Sequence, residues 1–460
     1  MTLDKKHVLV VVAVTTMLVL AVWQVSVEPR RHSQYTDKPT HSRHRRSQPH
    51  PHINMTTPEL IKARGYQAEV HQVVTGDGYI LEMHRIPHGR SPPSPTQAPP
   101  TTQTFHKIEA GRWLLGQMTD NRSSVPTAAT SSSGGRPVVF LLHGILLSSA
   151  DFVMNDPDQA LGFMMADAGY DVWIGNNRGN FYGRRHVHLS PEEPEFWEFS
   201  WNEMARYDMP AMLGYVLNVS GAAQVSFVGH SMGNSLLFAM MYYYPHLTSW
   251  VRVMAAMAPA SYIHHKMGPV GLLAHNIDVI DGELRKQGIV ELFRLTPDRS
   301  SLTNSLCGPH SITNFICIFV HFIIGGENSN YLDREYLPVI FAHMPAGTGL
   351  RVFTHLLQIQ AARKFQAFDY GEAENMVKYG TTSPPSFPLS RVKIPVGLYW
   401  SRNDWIVDKL DLRQTAAELP RVATNYMVPL RGFNHMDFLW AENAYYLVYQ
   451  PLIQFINEFQ

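Results

Sequence analysis

Val225-Ser226-Phe227-Val228-Gly229-His230-Ser231-Met232-Gly233-Asn234-Ser235-Leu236-Leu237-Phe238-Ala239-Met240-Met241 is the stretch from which the rest of the chain can be read. Residues 225–228 are an apolar run that stops at a glycine, as a buried strand does. A helix-forming run follows from Ser235 to Tyr244 and is stopped by Pro245. Between them stands G-x-S-x-G, with Gly229, His230 and Gly233 around Ser231. Alone the pattern is weak, since chance produces it in roughly one chain in seven of this length. It could be no more than a glycine-rich helix start. Its place between a strand and a helix changes that. A turn this sharp brings the strand and helix backbones too close for side chains, hence the glycines. It also lifts the Ser231 hydroxyl above the edge of a sheet.

A serine hydroxyl is a weak nucleophile, so it requires a base, and the base requires an orienting acid. On a sheet of this kind the chain order is serine, acid, histidine. Downstream, the apolar run IPVGLYW (394–400) leads into Ser401-Arg402-Asn403-Asp404. This puts the Asp404 carboxylate at a strand's C-terminal end. The next run, TNYMVPL (424–430), leads into Arg431-Gly432-Phe433-Asn434-His435, which puts His435 on the following loop. Asp408 is a rival acid four residues on, but farther from the strand end. The negative charge that develops on an attacked carbonyl needs two backbone N–H donors. The residue after the serine, Met232, supplies one. Ile145, after the run that ends in His143-Gly144, is the expected second.

The same rhythm recurs on either side. Val138–Leu142, Asp171–Ile174, Val251–Met257 and Val396–Trp400 are short apolar runs alternating with helical segments. That pattern predicts an α/β fold with a mostly parallel central sheet flanked by helices. Between Pro259 and Pro395 the rhythm is lost, and helices such as Leu350–Lys364 dominate. Residues 259–394 are therefore expected to be a mainly helical cap inserted before the acid-bearing strand. The core is expected over 57–258 and 395–460. Residues 91–136 carry SPPSPTQAPPTTQT and SSVPTAATSSSGG, a low-complexity insertion unable to bury enough apolar surface to order itself.

Of 460 residues, 45% are hydrophobic and 17% charged, enough for a large core. The formal net charge is zero, but residues 1–53 hold eight basic and three acidic residues. The remainder carries 30 basic against 35 acidic, which argues against nucleic acid as a partner. Lys5 and Lys6 precede an apolar run from Val8 to Trp23, so residues 1–27 read as a signal peptide or a signal anchor in the membrane. Residues 28–56 read as a basic, His-rich linker or propeptide. Sequons begin at Asn54, Asn121 and Asn218, in agreement with secretion. The two cysteines, Cys307 and Cys317, form either one disulfide or a pair of buried thiols. No cofactor and no metal ligands are expected.

Several segments outside the serine turn resemble the acid lipases, the family of the α/β-hydrolase fold that includes gastric and lysosomal acid lipase. They are RGYQAEVHQVVTGDGYILEMHRIP (64–87), VVFLLHGILLSSADFV (138–153), DVWIGNNRGNFYGRRH (171–186) and FWEFSWNEMARYDMPAML (196–213). YWSRNDWIVD (399–408) and FNHMDFLWAENA (433–444) match the segments that carry the family's acid and histidine. The resemblance runs from about Thr57 to Glu458 apart from the 91–136 insertion. It implies a catalytic Ser231, Asp404 and His435, an oxyanion turn at Ile145, and a cap disulfide between Cys307 and Cys317. It also implies hydrolysis of triacylglycerols, cholesteryl esters or related neutral-lipid esters at a lipid–water interface, often at acidic pH, in a secreted or lysosomal enzyme. Two departures stand out: Met232 replaces the family's usual Gln, and YWSRND replaces a more Gly-rich turn.

Cap residues 315–324, FICIFVHFII, are nearly all apolar. They either line an acyl-chain site or simply pack the cap. Two other readings compete with a lipase. A non-catalytic lipid carrier on the same fold would have no use for all three of Ser231, Asp404 and His435. An esterase or transacylase acting on smaller esters differs only in substrate.

Overall fold

Eight strands form the body of one sheet: β1 (Glu69–Val74), β2 (Tyr79–Ile86), β3 (Val138–Leu142), β4 (Asp171–Gly175), β5 (Val225–His230), β6 (Val251–Met257), β7 (Val396–Trp400) and β8 (Val422–Met427). Their spatial order is β1-β2-β4-β3-β5-β6-β7-β8, and the two-residue strand Arg185–His186 adds to β2. The β1/β2 and β2/β4 pairs are antiparallel, and every pair from β4 to β8 is parallel. This is a computed structural model, and it describes residues 50–90, 135–265, 268–295, 307, 325–326, 331–333 and 335–460. Residues 1–27, expected to be a signal peptide or signal anchor, most of 28–56 and of 91–136, Asn121, Cys317 and the apolar run 315–324 lie outside the described residues. Residues 52–56 do not: Ile53 sits in the core, in a 3-10 turn ahead of the short helix α1 (Thr57–Ala63).

Strand chemistry follows position in the sheet. All residues of β3, β4 and β5 are buried, because helices cover both faces of a parallel sheet. Edge strand β8, VATNYM, instead alternates half-buried and exposed positions along most of its length. Helices α2 (Leu161–Asp167) and α3 (Met209–Ser220) belong to the covering layers, and α3 ends on the left-handed Gly221. Helix α4 (Met232–Tyr243) leaves β5 directly and is buried from Met232 through Met241. Of the sequence-read strands, β3, β6 and β7 keep their expected bounds. Helix α4 starts three residues earlier than read, at Met232.

The segment between β6 and β7 carries α5 (Ile277–Lys286), α6 (Leu337–His343), α7 (Leu350–Ala362) and α8 (Glu372–Tyr379). It also holds a small antiparallel ladder, Glu291–Leu292 with Thr348–Gly349. Helix α7 is fastened to the core through His355, whose Nδ1 accepts from the Trp201 amide at 3.2 Å and whose Nε2 donates to Gln366 O at 2.9 Å. The Trp201 indole donates to Val352 O at 3.1 Å. Helix α9 (Lys409–Glu418) follows β7, and α10 (Gln450–Asn457) closes the chain. Among the described residues no helix is long and apolar enough to cross a membrane.

Candidate active site

Ser231 sits between the last residue of β5 and the first of α4, with φ 53° and ψ −120°. Such a backbone costs a non-glycine residue about 1–3 kcal/mol and persists only where its surroundings hold it. Here the hold is explicit. The Ser231 amide donates to Met257 O at 3.0 Å, across to β6. The Asn234 side chain donates to Ser231 O at 3.2 Å and to Met257 O at 2.9 Å. The motif glycines have separate reasons. A Cβ on Gly229 would lie 2.4 Å from the Asn234 side chain. A Cβ on Gly233 would lie 2.5 Å from Leu142 O, on the neighbouring strand β3. The crowding at Gly233 is therefore with β3, not with the turn's own strand.

Next to the serine runs the turn that leaves β3. Gly144 approaches so closely that a Cβ there would sit 2.9 Å from the Ser231 Cβ. Ile145 follows it, then Leu146 at φ 64°. His143 braces this turn from inside. Its Nδ1 donates to Gly144 O at 2.7 Å, and its Nε2 accepts from the Asn177 amide at 3.2 Å and from Asn180 Nδ2 at 3.1 Å. One neutral tautomer satisfies all three contacts, and burial pushes the His143 pKa down to about 4. Between the two asparagines Arg178 is fully buried, ion-paired with Asp208 and Asp77, its guanidinium 3.9 Å from the Tyr79 ring centre. The string GNNRGN, recognisable in the sequence only as specific, is thus the support of the turn after β3.

Asp404 and His435 meet. His435 Nδ1 and Asp404 Oδ2 are 2.7 Å apart, and both side chains are buried. The other carboxylate oxygen accepts from the amides of Ile406 and Val407, each at 2.8 Å. Asp408 stands apart from the histidine: its side chain caps α9 by accepting from Leu410 N at 2.8 Å. The loop that carries His435 is shaped by Asn434 and Asp437. Asn434 Oδ1 accepts from the amides of Met436 and Asp437, while Asp437 Oδ2 accepts from Asn434 N at 2.7 Å. An Asn and an Asp flanking a histidine three residues apart are a readable turn signal, passed over in the sequence. His230 brings this loop to the serine. Its Nε2 donates to His435 O at 3.0 Å, and the two rings are 4.8 Å apart. Burial, with His435 alongside, holds the His230 pKa well below the ordinary histidine value.

Two more contacts close the surroundings. Gly325, from the segment between β6 and β7, accepts from the amides of His435 and Trp405 through its carbonyl, at 3.1 and 3.3 Å. Asp151 spans the site's two sides, accepting from Ser148 N at 2.8 Å and from the Trp440 indole at 3.0 Å. Burial raises the Asp151 pKa to about 7. Elsewhere, Cys307 is buried and disulfide-bonded, with Cys317 beyond the described residues. Asn54 and Asn218 are exposed, as a sequon acceptor must be.

Comparison with known proteins agrees with this architecture. Residues 57–156 match a partial alpha/beta-hydrolase lipase region, and residues 137–275 match the alpha/beta hydrolase fold. Lipase lipl-5 of Caenorhabditis elegans is 34% identical over 420 residues, covering 89% of this chain and 93% of that one. Gastric triacylglycerol lipase of Bos taurus is 32% identical over 415 residues, 89% of this chain and 92% of that one. Lysosomal acid lipase/cholesteryl ester hydrolase of Rattus norvegicus is also 32% identical over 415 residues, covering 89% and 93%. The chain belongs to the acid lipase family of the α/β-hydrolase fold.

Proposed function

We propose that this protein is a lipase that hydrolyses fatty-acyl esters of neutral lipids, triacylglycerols or cholesteryl esters, through an acyl-enzyme on Ser231. One observation carries the reading: a serine held in a strained strand–helix turn, whose neighbour His230 hydrogen-bonds the backbone carbonyl of a buried histidine that is itself paired at 2.7 Å with a carboxylate. In this mechanism His435 takes the proton of Ser231 as the hydroxyl attacks the ester carbonyl. Asp404 holds Nδ1–H and stabilises the imidazolium. The amides of Ile145 and Met232 receive the oxyanion. His435 then protonates the departing alcohol, and water attacks the acyl-enzyme by the reverse sequence. Lipid substrate class rests on the relatives, whose names are those of triacylglycerol and cholesteryl-ester hydrolases.

Residues 259–394 act as a cap in this reading, supported by the Gly325 contacts to both catalytic loops. Water excluded beneath it strengthens the oxyanion contacts. Passage through the secretory pathway to a secreted or lysosomal destination, a Cys307–Cys317 disulfide, and glycosylation at exposed Asn54 and Asn218 belong to the same proposal. The test is a fluorophosphonate probe applied to wild type and Ser231→Ala, together with a panel of triacylglycerol, cholesteryl-ester and short-chain esters. Wild type should be labelled and should prefer the long-chain lipids; the variant should be neither labelled nor active. Full turnover by Ser231→Ala would overturn the mechanism. A preference confined to short soluble esters would overturn the substrate class.

A further inference from the structure

The segment that leaves β6 passes Ala258, beside the nucleophile's strand, and reaches His264 and His265 before the helices of the inserted region begin. There it meets the first turn of α9, the helix that follows the Asp404 loop. Asp411 of that turn is fully buried. Its carboxylate accepts from the backbone amides of both histidines, each at 3.2 Å. Both imidazoles converge on the same oxygen: His265 Nδ1 is 2.7 Å from Oδ1, and His264 Nδ1 is 3.2 Å from it. The two rings lie 4.0 Å apart, centre to centre. The three donor atoms fall within 4.8 Å of one another. His264 Nδ1 is buried yet has no hydrogen-bond partner among the described residues.

Two imidazole nitrogens and one carboxylate oxygen are a donor set for a borderline divalent ion, not for magnesium or calcium, which prefer oxygen alone. Around tetrahedral zinc, with bonds near 2.0–2.2 Å, neighbouring donor atoms stand about 3.4 Å apart. The two nitrogen–oxygen separations, 3.2 and 2.7 Å, would widen on binding, and the two nitrogens lie within 4.8 Å of each other. We propose that His264, His265 and Asp411 bind one zinc ion, with water in the fourth position. The ion ties the start of the inserted segment to the helix behind the acid loop. Binding displaces the Nδ1 proton that His265 now shares with Asp411, and that proton leaves to solvent. The role is structural: the contacts of His264 and His265 run to Asp411 and to each other, among the described residues. The site goes beyond the lipase reading and stands or falls separately from it, because its readout is metal binding.

The full chain, stripped with chelator, is titrated with zinc and its bound metal counted by mass spectrometry. The same is done for a His264→Asn/His265→Asn double variant. The basic region also holds histidines, His32, His41, His44, His50 and His52, so the comparison between the two proteins matters more than the total. Wild type should hold one more zinc than the variant, and zinc should raise the melting temperature of wild type alone. Loss of a single ligand, in His264→Asn, should weaken the site at least ~10-fold. A second measurement needs no variant: zinc should protect His264 and His265 of wild type from diethyl pyrocarbonate. Equal stoichiometry and affinity in both proteins, or protection confined to other histidines, would overturn the proposal and leave the cluster as a hydrogen-bonded brace.

Discussion

Asp404 uses both of its carboxylate oxygens, one toward His435 Nδ1 and one toward two amides of its own loop. Replacing it with Asn keeps the size but not the chemistry. The amides of Ile406 and Val407 hold the remaining oxygen, so the new NH2 faces His435. It donates where an acceptor is required, and the imidazole turns to the wrong tautomer. Asp404→Asn should lower kcat about 10⁴-fold with the fold intact. Asp408→Ala tests the neighbouring carboxylate. It removes the cap of α9, so it should cost about 1 kcal/mol of stability and leave the rate alone. Ester hydrolysis at fixed pH with thermal melts alongside separates the two. Collapse of turnover in a folded Asp408→Ala protein would show that the acid has been assigned to the wrong residue.

At the scale of elements, the turn between β5 and α4 depends on its neighbour β3. Adding a methyl group at Gly233 sets it 2.5 Å from Leu142 O and 2.9 Å from His143 O, both backbone atoms. Backbone cannot swing aside as a side chain can. Gly233→Ala should therefore cost about 1–3 kcal/mol and displace the His143–Ile145 turn. Melting temperature and kcat should fall together. A variant as stable and active as wild type would mean that β3 yields more than its pairing with β4 and β5 implies. The same elements show what was legible in the sequence. Buried strands were, because a short apolar run that ends in glycine is too brief for a helix and too greasy for a loop. The pairing of Asp404 with His435 followed from chain order. The supports of the site were not legible. His143 leans on Asn177 and Asn180, 34 and 37 residues away. The stored strain of Ser231 is answered by Met257 on another strand. A linear pattern carries periodicity but not which distant donor meets which acceptor. The boundary at Thr57 missed Ile53 for a related reason: one buried side chain in a polar stretch makes no period.

For the molecule as a whole, buried ionisable groups pull stability in opposite directions as pH changes. Burial lowers His143 and His355 from about 6.5 to about 4. Their folded pKa values lie below the unfolded one, so unfolding takes up protons between pH 6.5 and 4. The stability they allow is present above 6.5 and is lost as pH falls through that window. Asp151 works the other way. Burial raises it from about 3.8 to about 7, so the folded state keeps a proton that the unfolded chain releases. Stability linked to Asp151 is full below about 4 and declines as pH rises to 7. Each group contributes a slope of up to about 1.4 kcal/mol per pH unit within its window. Single substitutions also shift stability by a constant, since His355 and Asp151 both make hydrogen bonds that a substitute copies incompletely. The slope is free of that constant. In thermal melts from pH 4 to 7, the difference between Asp151→Asn and wild type should move in the variant's favour as pH rises. For His355→Gln it should move in the variant's favour as pH falls from 6.5 to 4. Parallel curves for Asp151→Asn and wild type would mean that the folded protein ionises Asp151 as readily as the unfolded chain does. The acid-stable half of this balance would then have to come from other buried carboxyls.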